Sequence, residues 1–324
     1  MLTSPDVVTI TLNPALDDSF SVPRLVPGSK MRCSAPRIDP GGGGINVARV
    51  LHVLGVPTLA IFPVAGHIGR ALTELLEIEQ LPFEAIDVPG ETRLSHHVTE
   101  RDTGLEYRFV LPGTPLSGDD LDRCLEAVRR AGRHAAYVVL SGSLPPGVSA
   151  DIVPRVQCLS DAVGARLVVD ASGVALAQAH GAYLIKPSVR ELEEHLGREL
   201  ATTAEQLEGA RQLLETTRAG VVVLSRGHLG IALITPTRTQ LLPAFSNDLV
   251  SGVGAGDALV AGIIAGLTQG WDLPRAARLG LACSAAMIAT AGTSVFTREG
   301  LAELTSDLPV EHSGGGPLSA AGLG

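Results

Sequence analysis

Aromatic side chains are scarce: Phe, Tyr and Trp make up 3% of 324 residues, while hydrophobic residues total 45%. A large core is therefore expected to be built from Ala, Val, Leu and Ile. Cysteine is scarce too. Cys33, Cys124, Cys158 and Cys283 are far apart and form no Cys-x-x-Cys pair. That excludes a disulfide frame or a thiolate zinc site and fits a reducing cytoplasm. Gly, Pro or charge interrupts every apolar run before it could span a bilayer. No basic region followed by an apolar run opens the chain, so no signal peptide is expected. Positive charge is in deficit, with 25 Lys and Arg against 34 Asp and Glu and a net charge of −9. That argues against a nucleic-acid partner. Two phosphate-binding motifs are missing. Gly-x-Gly-x-x-Gly fails because Asn46 and Val47 fall where a third glycine is needed, and Gly-x-x-x-x-Gly-Lys-Ser/Thr occurs nowhere. There is no His-Glu-x-x-His, and the adjacent His96 and His97 would point to opposite faces of a strand, which speaks against a metal site.

What is present begins with glycine. Ser251-Gly252-Val253-Gly254-Ala255-Gly256-Asp257 leads into the apolar helical run Ala258–Ala265. A helix N-terminus offers unpaired N–H groups and partial positive charge. Glycines let a phosphate approach those groups. Asp257 would lie beside that phosphate, as a base next to a transferring group would. Alone, the motif fits a glycine turn with a first-turn acid better. A second glycine run, Gly41–Gly44, opens an amphipathic helix that carries Asn46 and closes near Gly55.

The rest of the chain gives those motifs a setting. Strands are expected at Val7–Leu12, Thr58–Phe62, Phe83–Val88, Ala136–Leu140, Leu167–Asp170, Tyr183–Ile185 and Val221–Leu224, with edge strands at Ile231–Ile234 and Gln240–Leu242. Helices alternate with them from Asp119 onward, the signature of a parallel sheet with crossovers. The first strand ends in Asn13-Pro14-Ala15-Leu16-Asp17. Strand ends gather ligands in open α/β sheets, so Asp17 is placed to bind a polyol. Short strands at Ser19–Val22, Lys30–Ile38, Leu94–Thr99 and Leu105–Leu111 belong to neither helix layer and predict a small second sheet acting as a lid. Lys30, Arg32, Arg93 and Arg108 fall on it. On so acidic a chain, these basic residues suggest an anionic substrate. The resulting division is a core of 1–16, 39–90 and 112–310, a lid of 17–38 and 91–111, and a disordered tail of 311–324.

Gly41–Arg49 resembles the first signature of the ribokinase-like PfkB carbohydrate kinases, and Gly252–Ala258 resembles the second. Asn13–Asp17, Ser141–Gly147 and Lys186-Pro187 match as well, so the resemblance runs from about Val7 to about Thr305. Within that family the chain is similar to the phosphosugar branch. Lys30–Cys33 and Tyr107–Val110 resemble its lid segments, and Gly43 stands where 1-phosphofructokinases and tagatose-6-phosphate kinases carry lysine. The resemblance implies a three-layer α/β sandwich with a mainly parallel sheet and a β lid. It also implies ATP- and Mg²⁺-dependent phosphorylation of fructose 6-phosphate, with fructose 1-phosphate or tagatose 6-phosphate as alternative substrates and a sugar-phosphate sensor as the non-enzymatic rival. Asp257 would take the hydroxyl proton, and the N–H groups of Gly254, Ala255 and Gly256 would hold the phosphoryl oxygens. Asp17, Gly42, Gly43, Asn46 and Ser141 would hold the sugar, and Lys30, Arg32, Arg93 and Arg108 its phosphate. Lys186, Ser225, Gly227, Gly230 and Gly252 would line the ATP site. Glu191 and Ser188 would meet magnesium through water, Ser188 standing where the family carries Asn. Ser251 and Val253 are the candidate potassium ligands. A homodimer formed through the lid is also implied.

Overall fold

The computed structural model describes residues 4–245, 252–290, 292 and 294–305. The expected tail at 311–324 and the candidate ligand Ser251 lie outside them. The chain opens with β1 (Val7–Ile10), β2 (Ala15–Val22), β3 (Arg37–Gly41), α1 (Gly43–Val53), β4 (Thr58–Val64), α2 (Gly66–Ile78) and β5 (Phe83–Asp87). Then come β6 (Arg93–Glu100), β7 (Leu105–Val110), α3 (Gly118–Ala131), β8 (Tyr137–Ser141), α4 (Ile152–Val163), β9 (Arg166–Asp170), α5 (Val174–Ala177) and β10 (Leu184–Ile185). The last part holds α6 (Val189–Leu196), α7 (Thr203–Thr217), β11 (Val221–Ser225), β12 (Ile231–Ile234), β13 (Thr239–Leu242), α8 (Ala255–Thr268), α9 (Leu273–Ile288) and α10 (Arg298–Thr305).

Nine strands form one sheet in the order β13-β12-β11-β10-β9-β8-β1-β4-β5. Its pairings are parallel except where β12 joins β11 and β13. The central strands are buried on both faces, as their continuous Val, Ile and Leu runs require. On one face, Val8, Ile10, Val138, Leu140, Leu167 and Val169 pack against α3 to α7. On the other, Val7, Val139, Val168, Leu184 and Val223 pack against α1, α8 and α9. The expected three-layer sandwich is thus present.

The shortage of aromatics has a packing counterpart. An added Cβ at Gly262 of α8 would lie 2.6 Å from the Gly280 Cα of α9, and one at Gly266 would lie 2.8 Å from the Ala276 Cα. Small residues let these two helices touch backbone to backbone, so bulky rings are not needed between them. The same contact would exclude a larger side chain at either glycine.

Four strands form the second sheet, in the order β3-β2-β6-β7. Two of them differ from expectation. β2 begins at Ala15 and not at Ser19, so Asp17 lies within a strand. It has hydrogen-bonded partners on both sides, β3 and β6, which satisfy its backbone better than a turn would. The strand expected at Lys30–Ile38 keeps only its last two residues, and β3 starts at Arg37. Pro36 cannot donate and disfavours regular structure before it. Residues 28–38 are exposed. Lys30 and Arg32 therefore sit on a loop, off the sheet.

Strand alternation gives this sheet two unlike faces. Asp17, Ser19, Arg37, Asp39, Arg93, Ser95, His97 and Arg108 share one face. Leu16, Phe20, Ile38, Leu94, Val98, Leu105 and Phe109 share the other. The inner part of the apolar face is covered, because Leu16 and Leu94 pack with Ile45, Phe62, Leu72 and Leu76. The outer part is bare: Ile38, Leu105 and Phe109 are 40%, 55% and 49% exposed.

Candidate active site

The site lies along one edge of the large sheet. Its parallel strands all end there, and Ser141, Asp170 and Ser225 are the last residues of β8, β9 and β11. Lys186 directly follows β10. Among the helices that start at this edge, two carry the central candidates.

The first is α1. Its N-cap, Gly42, has φ 113°, a backbone conformation that glycine adopts freely. An added Cβ at Gly43 would collide with Ser141 Oγ and lie 2.7 Å from Gly142 N, and one at Gly44 would lie 2.6 Å from the Ile10 carbonyl oxygen. These glycines press the start of α1 onto the ends of β1 and β8. That placement aims Asn46, which donates from Nδ2 to Asp257 Oδ2 at 2.9 Å. Asn46 Oδ1 is buried without a partner among the described residues, so it can still accept from a ligand hydroxyl.

The second is α8, capped by Gly254 at φ 75°. Asp257 sits in its first turn and also accepts from Ser141 Oγ at 3.3 Å. Burial pushes the Asp257 carboxyl up to about 7, and the nearby Asp170 charge adds to this. The hydrogen bond from Asn46, the Lys186 charge and the Ser141 hydroxyl pull the other way. A carboxylate tuned near neutrality at a helix N-terminus can exchange a proton at ordinary pH.

Lys186 is 5% exposed and meets Asp170 at 3.0 Å. Burial alone would lower its pKa, but Asp170 and Glu191 outweigh that and hold the ammonium charged. Burial raises Asp170 against the opposing pull of Lys186. An added Cβ at Gly256 would lie 3.4 Å from Lys186 Nζ, so this buried cation adjoins the N–H groups that open α8. Open helix N–H groups beside a buried cation are suited to an anion.

Ser188 caps α6. It accepts from the Glu191 N–H at 3.2 Å, while its own N–H and Oγ donate to Glu191 Oε2 at 2.8 Å and 2.9 Å. The two expected magnesium partners thus hold each other in a capping box. Among the described residues, no group of three His, Cys, Asp or Glu side chains could hold a metal. This donor set fits an outer, water-mediated contact and not a protein cage. Ser225 N–H donates to the Pro187 carbonyl at 2.9 Å, which places the β11 end beside Lys186. Gly227 opens a short 3₁₀ turn after β11 and Gly230 follows it, both with positive φ. Gly252 is exposed and Val253 is buried.

The small sheet supplies the remaining candidates. Asp17 is 6% exposed, on the polar face. Arg93, on the same face, donates to the Asn13 carbonyl at 3.1 Å and 3.4 Å. Burial lowers the Arg93 pKa against the opposing charge of Asp17, and its Nη1 is buried without a partner among the described residues. Arg108 is exposed on β7, opposite His97. Asp257, Asn46, Ser141 and Lys186 are therefore brought together, while Lys30, Arg32 and Arg108 stand at the exposed periphery. Sequence reasoning missed Asp170. Its signal was the one applied to Asp17, an acid at the end of an apolar strand.

The model of the pfkB family carbohydrate kinases matches residues 8–299. An ATP-dependent 6-phosphofructokinase isozyme 2 of Mycobacterium tuberculosis is 47% identical over 296 residues, covering 91% of this chain and 87% of that protein. A 1-phosphofructokinase of Rhodobacter capsulatus is 34% identical over 320 residues, covering 94% and 97%. The crystal structure of phosphofructokinase-2 from Escherichia coli in complex with fructose-6-phosphate superposes with a TM-score of 0.85 at 31% identity, covering 93% and 98%. Other structures of that enzyme are a complex with potassium and a tetrameric inhibited form. The fold is ribokinase-like, and the chain belongs to the pfkB family of carbohydrate kinases.

Proposed function

We propose that this kinase phosphorylates fructose 6-phosphate with ATP, giving fructose 1,6-bisphosphate and ADP. The observation that carries the reading is Asp257, a carboxylate raised to about 7, oriented by Asn46 and set in the first turn of α8 beside Lys186. Asp257 accepts the proton of the sugar's 1-hydroxyl as that oxygen attacks the γ-phosphorus of ATP. The bond from that phosphorus to the bridging oxygen breaks, and ADP leaves. The N–H groups of Gly254, Ala255 and Gly256 face the oxygens of the transferring group, and Lys186 offsets their charge.

Asp17 and the free Oδ1 of Asn46 accept from sugar hydroxyls, with Gly42, Gly43 and Ser141 forming the floor. Arg93 turns its unpartnered Nη1 to the sugar phosphate, joined by Arg108, Lys30 and Arg32 from the periphery. Ser225, Gly227, Gly230 and Gly252 line the nucleotide side. Glu191 and Ser188 would meet the magnesium of ATP through water, where the ion supplies charge neutralisation. Ser251 and Val253 are the proposed potassium ligands. The bare apolar strip of Ile38, Leu105 and Phe109 supports a homodimer formed through the small sheet. The small sheet is then the lid over the sugar, and the site belongs to a cytoplasmic enzyme.

ADP release is to be measured with fructose 6-phosphate, fructose 1-phosphate, tagatose 6-phosphate and free fructose. Fructose 6-phosphate should give the highest kcat/KM. No turnover on any of them would defeat the kinase reading, and a preference for free fructose would defeat the phosphate role of the arginines. Gly43, standing where 1-phosphofructokinases and tagatose-6-phosphate kinases carry lysine, favours fructose 6-phosphate over the other two phosphosugars.

A further inference from the structure

His97 lies on β6, on the polar face of the small sheet, with its side chain 14% exposed. Its Nε2 is 3.3 Å from Ser95 Oγ and 3.9 Å from Asp17 Oδ1. Its Nδ1 is buried with no partner among the described residues. The pairing places Ser95 beside Asp17 and His97 beside Ser19, so all four side chains share one face. Among the described residues, the charged acceptor beside the ring is thus Asp17, on the Nε2 side.

That arrangement selects a tautomer. A proton on Nδ1 would be a buried donor with nothing to receive it, whereas a proton on Nε2 faces the Ser95 hydroxyl and the Asp17 carboxylate. An N–H aimed at one oxygen of a carboxylate fixes how that carboxylate turns. At 3.9 Å the contact is too long for a hydrogen bond, and because the two strands are already paired, a small rotation of the side chains would complete it.

We infer that His97 is a substrate-positioning residue: its Nε2–H orients Asp17, so that the carboxylate presents an oxygen to the sugar hydroxyls. This inference rests on the sugar-binding role proposed for Asp17. It assigns His97 no contact with the sugar and no proton transfer.

The test compares His97→Gln with His97→Asn, and both with His97→Ala. The glutamine amide nitrogen reaches the position of Nε2, whereas the asparagine amide nitrogen reaches only that of Nδ1. Replacement by Ala or Asn should raise KM for fructose 6-phosphate about tenfold, the effect of losing one hydrogen bond to a charged group. KM for ATP should stay unchanged and kcat should stay within about twofold, since the γ-phosphate site is untouched. His97→Gln should restore the KM. In an Asp17→Asn background, His97→Ala should have little further effect. Equal KM values for Gln and Asn, or full additivity with Asp17→Asn, would overturn the inference. If Asp17→Asn itself leaves the sugar KM unchanged, the reading of Asp17 fails first, and that outcome is separate from a failure confined to His97. The Gln and Asn variants keep a polar side chain of similar bulk, so the comparison survives if His97→Ala does not fold.

Discussion

Two helices begin in glycine at the same edge of the sheet, and the glycines serve opposite ends. Around the start of α1 they are consumed by packing: a Cβ at Gly43 would collide with Ser141, and one at Gly44 would meet the Ile10 carbonyl. At the start of α8 the neighbour of Gly256 is the far end of a flexible lysine, at ordinary contact distance. The first set brings a side chain, Asn46, to its target. The second leaves N–H groups open to an anion. Glycine in a signature therefore means two physical things, close approach of backbone to backbone and close approach of ligand to backbone. Only the surroundings tell them apart.

The largest effect should come from Asp257, where the two helix starts meet. Replacing it by Asn keeps a partner for Asn46 but removes the base, so kcat should fall about 10²–10⁴-fold in steady-state ADP release. Retention of kcat would break the comparison, because α8 would then need no charge. Gly43→Ala comes next. Overpacking against Ser141 should cost about 1–3 kcal/mol, read as a lower urea midpoint. An unchanged midpoint would mean that the α1 glycines are not consumed by packing. Gly256→Ala should do the reverse. A helical Gly→Ala change stabilises by about 0.5–1 kcal/mol, while the added methyl lies where the transferring phosphoryl group must come, so KM for ATP should rise and the midpoint should not fall.

The last effect concerns pH. Asp257 is raised from its ordinary 3.8 to about 7, so kcat/KM should climb as pH rises through about 7 and then level off. Stability runs the other way. The folded chain holds this proton more tightly than the unfolded chain, so the contribution is full below about pH 4 and is lost as pH rises through about 7. Asp257→Asn should abolish that slope and gain stability relative to the parent at pH 8, measured by urea titration at both ends of the window.

Much of the fold was legible because each buried strand announced itself as a short β-branched run with a turn after it. Val7–Ile10, Val221–Ser225 and the alternating helices needed nothing beyond local pattern. The small sheet was harder. Whether Ala15–Asp18 is turn or strand depends on β6, which is remote in sequence, and that pairing overrides the turn chemistry of Asn13-Pro14. Lys30–Ile38 failed for the opposite reason: the pattern was there, but Pro36 cannot donate to a ladder, and all but the last two residues stay a loop. In the site, Asp257, Asn46 and Lys186 were found through their motifs. Asp170 carries no motif, and its importance comes from facing Lys186 across two strand ends. His97 was weighed only as a metal ligand, and the contact that gives it meaning, to Asp17, is cross-strand.

The grouping of Asp170, Lys186 and Asp257 has a consequence for ligand binding as a thermodynamic event. Two acids share one buried ammonium, so the trio already carries surplus negative potential. A polyanion arriving at α8 adds to that potential and raises the proton affinity of Asp257 further. Nucleotide binding should then draw protons from solution at neutral pH, and the heat of binding should depend on the ionisation enthalpy of the buffer. A nucleotide accompanied by its divalent cation brings less negative charge and should draw fewer. The proton count of the complex thus reports how well the incoming charge has been matched, before any phosphoryl group moves.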